Sequence, residues 1–275
     1  MSVSASDVMK LRNATGAGMM DCKKALVEAN GDFDRAIEVI RERGKLIASK
    51  RADREATEGV VLARVSDDKK FGAVVVLNCE TDFVAKNEGF VTFAGKILDL
   101  AIANKAASLE AVKALELEGR TVEAYVMEQT GIIGEKLDLS YFANVEAETV
   151  VAYIHPGNKL ATAVGFNLAN VDEHVAKDVA MQVAAMSPVS VDKDDVPADV
   201  IEQELRIAKE KFRLEGKPEN MIEKIAQGSL QKFFKENTLL NQGFIKEGKM
   251  TVRDYLKSVS GDLTVTSFKR FTLNQ

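Results

Sequence analysis

The chain has 275 residues, enough for one large domain or two ordinary ones, and 46% of them are hydrophobic, which excludes global disorder. Lys and Arg number 37 against 42 Asp and Glu, a net charge of −5. That balance excludes a general nucleic-acid surface, which needs basic residues to neutralise phosphates, and fits a protein partner or a small ligand better.

Residues 1–44 read as a compact three-helix unit that folds separately. Ser4 followed by Asp7 resembles a capping box, with Val8 and Leu11 on the buried face. Thr15-Gly16-Ala17-Gly18 breaks that helix, and Asp21 is placed to cap a second one carrying Ala25, Leu26 and Ala29. Asn30-Gly31 ends it, Asp32 opens a third helix with Ile37 and Ile40 inward, and Gly44 closes it. Residues 45–58 are charged and Ala-rich and read as a mobile linker or an exposed helix; the basic excess from Arg41 to Arg54 reads as a solvated face.

An internal repeat follows. Residues 59–65 and 71–79 are β-rich runs around a polar turn, and a helix is predicted over about 87–104. The same order recurs at 149–154 and 160–168 around Pro156-Gly157-Asn158-Lys159, with a helix over about 171–186. Two hairpin-plus-helix units predict a duplicated α+β core. Between them, 109–115 and 121–130 read as helical, and 137–145 as a strand feeding the second sheet. After Pro188, Ile201, Leu205, Ala208 and Phe212 recur at 4-3-4 spacing on a charged helix. Gly216-Lys217-Pro218 turns the chain, and Met221, Ile222 and Ile225 open a return arm. This predicts a protruding antiparallel helical hairpin with arms on the order of 25 Å long. Val252, Tyr255 and Leu256 mark a short helix, and 263–273 a strand completing the second sheet. The expected domains are 1–44, a linker 45–58, core subdomains 59–140 and 141–187 with 237–275, and the hairpin insertion 188–236.

The search for reaction chemistry excludes more than it finds. Cys22 and Cys79 form no CxxC, and with His155 and His174 they make no zinc pattern and no disulfide scaffold. No secretory h-region and no long apolar run is present, so a soluble protein of a reducing compartment is expected, with no membrane contact. Gly16-Ala17-Gly18-Met19-Met20-Asp21 misses a dinucleotide motif at its third glycine, and no Gly-Lys pair is followed by Ser or Thr. Asp192, Asp194, Asp195 and Asp199 fail the EF-hand register at Val196 and Gln203 and suit helix capping. His155 reads as a surface turn histidine and His174 as solvated polarity. No catalytic constellation, metal site or cofactor site emerges, so a binding or regulatory protein is expected. One segment stands apart: Asn78-Cys79-Glu80-Thr81-Asp82-Phe83-Val84-Ala85-Lys86 places Asp82 and Phe83 at a strand-to-helix corner. Spacing alone favours Thr81 as N-cap, Asp82 as a dipole-friendly charge and Phe83 as a core anchor.

Leu11-Arg12 with Thr15-Gly16-Ala17-Gly18-Met19-Met20-Asp21-Cys22-Lys23-Lys24-Ala25-Leu26 resembles the N-terminal signature of the bacterial elongation factor Ts family. Residues 78–86 resemble its second signature. Gly216-Lys217-Pro218, Lys224-Ile225 and Gly228 resemble its helical hairpin, and Gln242 with Phe244-Ile245 its closing module. The resemblance implies a cytoplasmic guanine-nucleotide exchange factor for elongation factor Tu, with no cofactor and no direct nucleic-acid contact. It implies a ubiquitin-associated-like N-terminal domain that docks on the GTPase. Thr81, Asp82, Phe83 and Val84 would then displace the partner's magnesium, with Phe83 facing outward. Leu11, Arg12, Met19, Met20, Lys23, His155 and Ile245 match partner-contact positions, the last facing the partner's third domain. A homodimer or a two-plus-two complex with the GTPase are both open as assemblies. Two departures are visible: Gly243 precedes Phe244 where the family often has proline, and the further C-terminal helix of some members is expected to be missing. The rivals are a helical adaptor acting through residues 1–44 alone and a hydrolase using His155.

Overall fold

A computed structural model describes residues 3–274; Met1, Ser2 and Gln275, at the outer edges of the expected domains, lie outside the described residues. Ser4 starts α1 (Ala5–Thr15) by accepting the Asp7 N–H at 3.1 Å, and Gly16 ends it in the left-handed region at φ 73°. Helix α2 (Met19–Glu28) begins on Gly18 without a side-chain cap, so Asp21 sits in its first turn as a favourable charge and does not cap it. Asn30 and Gly31, at φ 51° and 85°, end it as expected. Asp32 caps α3 (Phe33–Lys50) by accepting the Arg35 N–H at 2.9 Å. Val8, Leu11, Cys22, Leu26, Val39 and Ile40 close a small core among the three helices.

Helix α3 does not stop at Gly44. It runs on to Lys50, so 45–50 is helix and the connecting segment is shorter than expected. Strands β1 (Glu58–Val65) and β2 (Phe71–Cys79) then form the expected hairpin, with every residue of β2 buried. The corner helix α4 (Asp82–Ala85) leads into α5 (Glu88–Ala103), which buries Phe90, Phe93, Ile97 and Leu98. Helix α6 (Leu109–Ala114), the two-residue strands β3 (Glu116–Leu117) and β4 (Arg120–Thr121), and α7 (Val122–Ile133) follow. Strand β5 (Asp138–Glu146) corrects the reading of 137–145: it lies beside β2 in the first sheet, in the order β1-β2-β5, and does not join the second. Its alternation signals a half-buried strand and carries no information about which neighbour it takes.

The continuation of α3 has a cause far away in sequence. Helices α3 and α7 pack against each other, and Gly44 and Gly131 meet at the crossing. A methyl group added at Gly131 would fall inside the van der Waals envelope of Gly44 Cα, whereas one added at Gly44 would sit at an ordinary 3.5 Å from the Glu128 carbonyl. One turn before the glycines, Glu128 is buried between Arg41 at 3.6 Å and Arg120 at 3.1 Å. Gly44 therefore lies inside a continuous helix and is no stop, and the close approach depends on the missing side chain of Gly131.

The described residues divide into two compact units. One comprises the chain to Leu62, Val75–Ala143 and the segment from Leu273; the other comprises Ala63–Val74 and Asn144–Thr272. In the second unit, β6 (Thr149–Ile154), β7 (Leu160–Phe166) and α8 (Glu173–Met186) repeat the hairpin-plus-helix order. Helix α9 (Ala198–Leu214) packs along α10 (Glu219–Asn237), with Ile222, Ala226 and Leu230 buried on α10, none on α9, and Arg213–Glu219 and Lys209–Glu223 ion pairs between them. The chain then makes β8 (Gly243–Phe244), β9 (Glu247–Thr251) and α11 (Val252–Val259), where the Phe244 and Tyr255 rings stack 4.1 Å apart. Strand β10 (Val265–Thr272) pairs antiparallel with β7 and completes the sheet β10-β7-β6, as the alternation predicts. Asp192 forms a capping box and pairs with Arg253 at 2.5 Å, so the acidic cluster around it begins with a capping residue. Among the described residues no helix is long and apolar enough to cross a membrane.

The asymmetry at the crossing is measurable. Gly131→Ala must push two backbones apart and is expected to lower unfolding free energy by about 2–3 kcal/mol or more, the scale of core overpacking. Gly44→Ala is expected to be neutral or to stabilise by up to about 1 kcal/mol through helix propensity. Urea midpoints of the two variants decide; equal losses would reject the packing described here.

Candidate functional site

The sequence reading singled out the end of β2, and the structure gives that corner unusual properties. Thr81 caps α4, its Oγ accepting the Val84 N–H at 3.4 Å. Ala85 is buried beneath the turn, and Asn87 caps the next helix by accepting the Gly89 N–H at 2.8 Å. Between these anchors Phe83 is 83% exposed, so it is no core anchor. A phenyl ring left in water forgoes roughly 1.5–3 kcal/mol of burial free energy. Asp82 pairs with Lys86 at 2.6 Å across one turn.

What holds the corner is a reciprocal pair of carboxylates. Glu135 accepts the Thr81 N–H at 3.0 Å and the Thr81 hydroxyl at 2.6 Å. Glu80 accepts the Lys136 N–H at 2.6 Å, and Arg51 and Arg54 at 2.7 and 3.0 Å. The residues 80–81 and 135–136 thus each offer a carboxylate to the other's backbone. Gly134, the left-handed C-cap of α7 at φ 78°, turns the chain so that Glu135 reaches the corner. Lys136 adds bonds from its ammonium to the Ala52 and Arg54 carbonyls at 2.8 Å each. Burial raises the Glu80 carboxyl's pKa, but the Lys136 N–H and the two guanidinium groups outweigh it and bring it from 4.5 to about 2. Burial, with Glu135 nearby, pushes the Cys79 thiol up to about 12, so it is inert as a nucleophile. Four of the basic residues from Arg41 to Arg54 have carboxylate partners, Arg41 on Glu128, Arg43 on Glu28, and Arg51 and Arg54 on Glu80, while most of their side chains stay solvated. The segment after α3 is tied down, not a free linker. Sequence reading missed this clasp because its members lie 54 to 56 positions apart across the β2–α7 interval and carry no local motif.

The other candidate residues are placed as follows. Leu11 is fully buried in the three-helix core, which corrects its expected contact role, whereas Arg12 beside it is exposed. Met19, Met20 and Lys23 are exposed on α2, Met20 by 63%. Val27, exposed seven residues after Met20, extends that face; its helical spacing made it findable. In the second unit, His155 is exposed in the β6–β7 turn, its Nδ1 3.0 Å from the Tyr153 hydroxyl. Ile245 is 44% exposed, and its N–H donates to buried Gln182 at 2.9 Å. Gln182 in turn donates to the Gln242 side chain and the Gly243 carbonyl, both at 3.1 Å, so a buried amide pair fixes that loop. Among the described residues no group of three His, Cys, Asp or Glu side chains is placed to hold a metal ion.

Comparison with known proteins adds a consistent finding. Residues 80–275 match the family model described as Elongation factor TS. The chain is similar along its length to proteins named Elongation factor Ts. It is 51% identical over 274 residues to that of Azobacteroides pseudotrichonymphae, covering 100% of this chain and 99% of the relative. The figures are 50% over 275 residues, 100% and 99%, for Porphyromonas gingivalis, and 52% over 272 residues, 98% and 98%, for Amoebophilus asiaticus.

The depressed Glu80 carboxyl has a pH signature. Its stabilisation is complete above pH 4.5 and fades as pH falls toward about 2, where the folded state too becomes protonated. Glu80→Gln is expected to have a lower denaturant midpoint than the parent at neutral pH, with the gap narrowing through that acid window. A gap that stays constant across it would show that the ion pairs do not act as described.

Proposed function

The chain belongs to the elongation factor Ts family, and we propose that it promotes GDP release from elongation factor Tu by pressing the corner at Thr81, Asp82, Phe83 and Val84 against the partner's magnesium and phosphate site. Its role is that of a guanine-nucleotide exchange factor in translation elongation. A GTPase holds its nucleotide through magnesium, a lysine and backbone amides around the phosphates. A protein that binds better when those contacts are distorted lowers nucleotide affinity, and by linkage the nucleotide lowers the factor's affinity by the same factor. No bond chemistry is required of the factor.

The observation that carries this reading is Phe83: a large apolar side chain in water on a backbone fixed by hydrogen bonds. Such a residue has its burial free energy still available for a partner. Asp82 stands beside Phe83, and its ion pair with Lys86 is an exposed one of a kind typically worth only about 0.3–0.5 kcal/mol. Docking falls to Arg12, Met19, Met20 and Lys23 on a ubiquitin-associated-like three-helix module, with Leu11 supporting them from within. His155 supplies a contact from the second unit, and Ile245 faces the partner's third domain. A helical adaptor acting through residues 1–44 alone leaves Phe83 without a task.

Release of a fluorescent GDP analogue from elongation factor Tu tests the reading. Wild-type chain is expected to accelerate release, and Phe83→Ala to abolish most of the acceleration. The same variant is expected to shift unfolding free energy by no more than about 0.5 kcal/mol, against about 3–5 kcal/mol for a truncated core phenylalanine. Large destabilisation with normal exchange would restore the core-anchor reading.

A further inference from the structure

We infer that Glu135 is a positioning residue for exchange: by accepting both the N–H and the hydroxyl of Thr81, its carboxylate holds the first turn of α4 so that Phe83 faces the partner. This rests on the reading of Phe83 as the exchange element. Helix α4 has four residues, too few for internal hydrogen bonds to hold a helical turn by themselves. Phe83 gives the turn no packing, and Ala85 is its single buried side chain. The cap from Thr81 to Val84 is long at 3.4 Å. The short contacts come from Glu135, at 2.6 and 3.0 Å, and they act on the residue immediately before the turn. Glu135 is itself placed by the Gly134 C-cap on α7, the helix locked to α3 through Gly131 and Gly44. Glu80 ties the end of β2 to Lys136, and Glu135 is the side chain from the end of α7 that reaches the capping residue of the turn itself.

A purely structural glutamate and a positioning one differ in what their loss does to folded molecules. GDP release from elongation factor Tu is measured over a range of full-length factor concentrations, giving a maximum rate and a half-saturating concentration. Glu135→Ala is expected to lower the maximum rate at least about tenfold, the scale of a small misplacement of a reacting group. Because Arg12, Met20 and Lys23 are untouched, the half-saturating concentration is expected to stay within about twofold. Glu135→Gln keeps one acceptor oxygen and is expected to fall between. Adding Glu135→Ala to Phe83→Ala is expected to slow exchange no further. A wild-type maximum rate for Glu135→Ala beside a slow Phe83→Ala overturns the inference while sparing the function; so does a fully additive loss in the double variant. A wild-type rate for Phe83→Ala itself rejects the wedge and this inference with it. Should Glu135→Ala fail to fold, a wild-type maximum rate in Glu135→Gln overturns the inference in its place.

Discussion

A phenyl ring held in water adds nothing to the stability of the fold that carries it, so everything around Phe83 has to be fixed by other means. Polar bonds do that work here. Glu135 grips Thr81, Glu80 grips Lys136, Arg51 and Arg54, and the two strands of chain hold each other like interlocked hooks. Charge-assisted bonds of this kind are short and directional, which suits a corner that must keep one orientation. They also exact a condition: the Glu80 carboxylate must stay ionised to hold its two guanidinium partners.

The same demand explains why α3 is long. Its N-terminal half closes the three-helix core with Val39 and Ile40, and its C-terminal half runs along α7 and delivers Arg51 to Glu80. Gly131 lets the two helices approach closely enough for this, and the Arg41–Glu128–Arg120 group closes the polar side of the crossing. Within this unit the exposed face of α2 and the corner are joined by one continuous helix, so the module carrying Met20 is not an independent bead on a string.

Local chemistry made much of this legible. Ser4 and Asp32 announce their helices because a side-chain oxygen three residues before a free N–H is a local event. The Pro156-Gly157 turn and the alternation of 263–273 are likewise short-range signals. What failed was long-range. Gly44 reads as a stop because a glycine at a helix end and one at a helix crossing are the same letter; Gly131 decides between them. Strand β5 was visible, but its neighbour was not, since alternation specifies a face and not a partner. Leu11 and Arg12 share one signature, yet only the structure separates the buried support from the exposed contact. Phe83 is the sharpest case: pattern alone favoured burial, and the family signature pointed outward.

The second sheet has a history written into its strand order. Its central strand, β7, acquires β6 at once, through a short turn, but gains its other neighbour only from β10. Asn167 and Thr264, 97 residues apart, exchange bonds at the start of that pairing. While the chain is being made, β7 must therefore wait with one edge unsatisfied as α8, α9 and α10 emerge, and such an edge invites adventitious strands. The helical pair α9–α10, whose contacts are nearly all local, is able to form in that interval. The last step in assembling this sheet is thus a long-range strand docking, which places its greatest exposure to misassembly in the interval before β10 arrives.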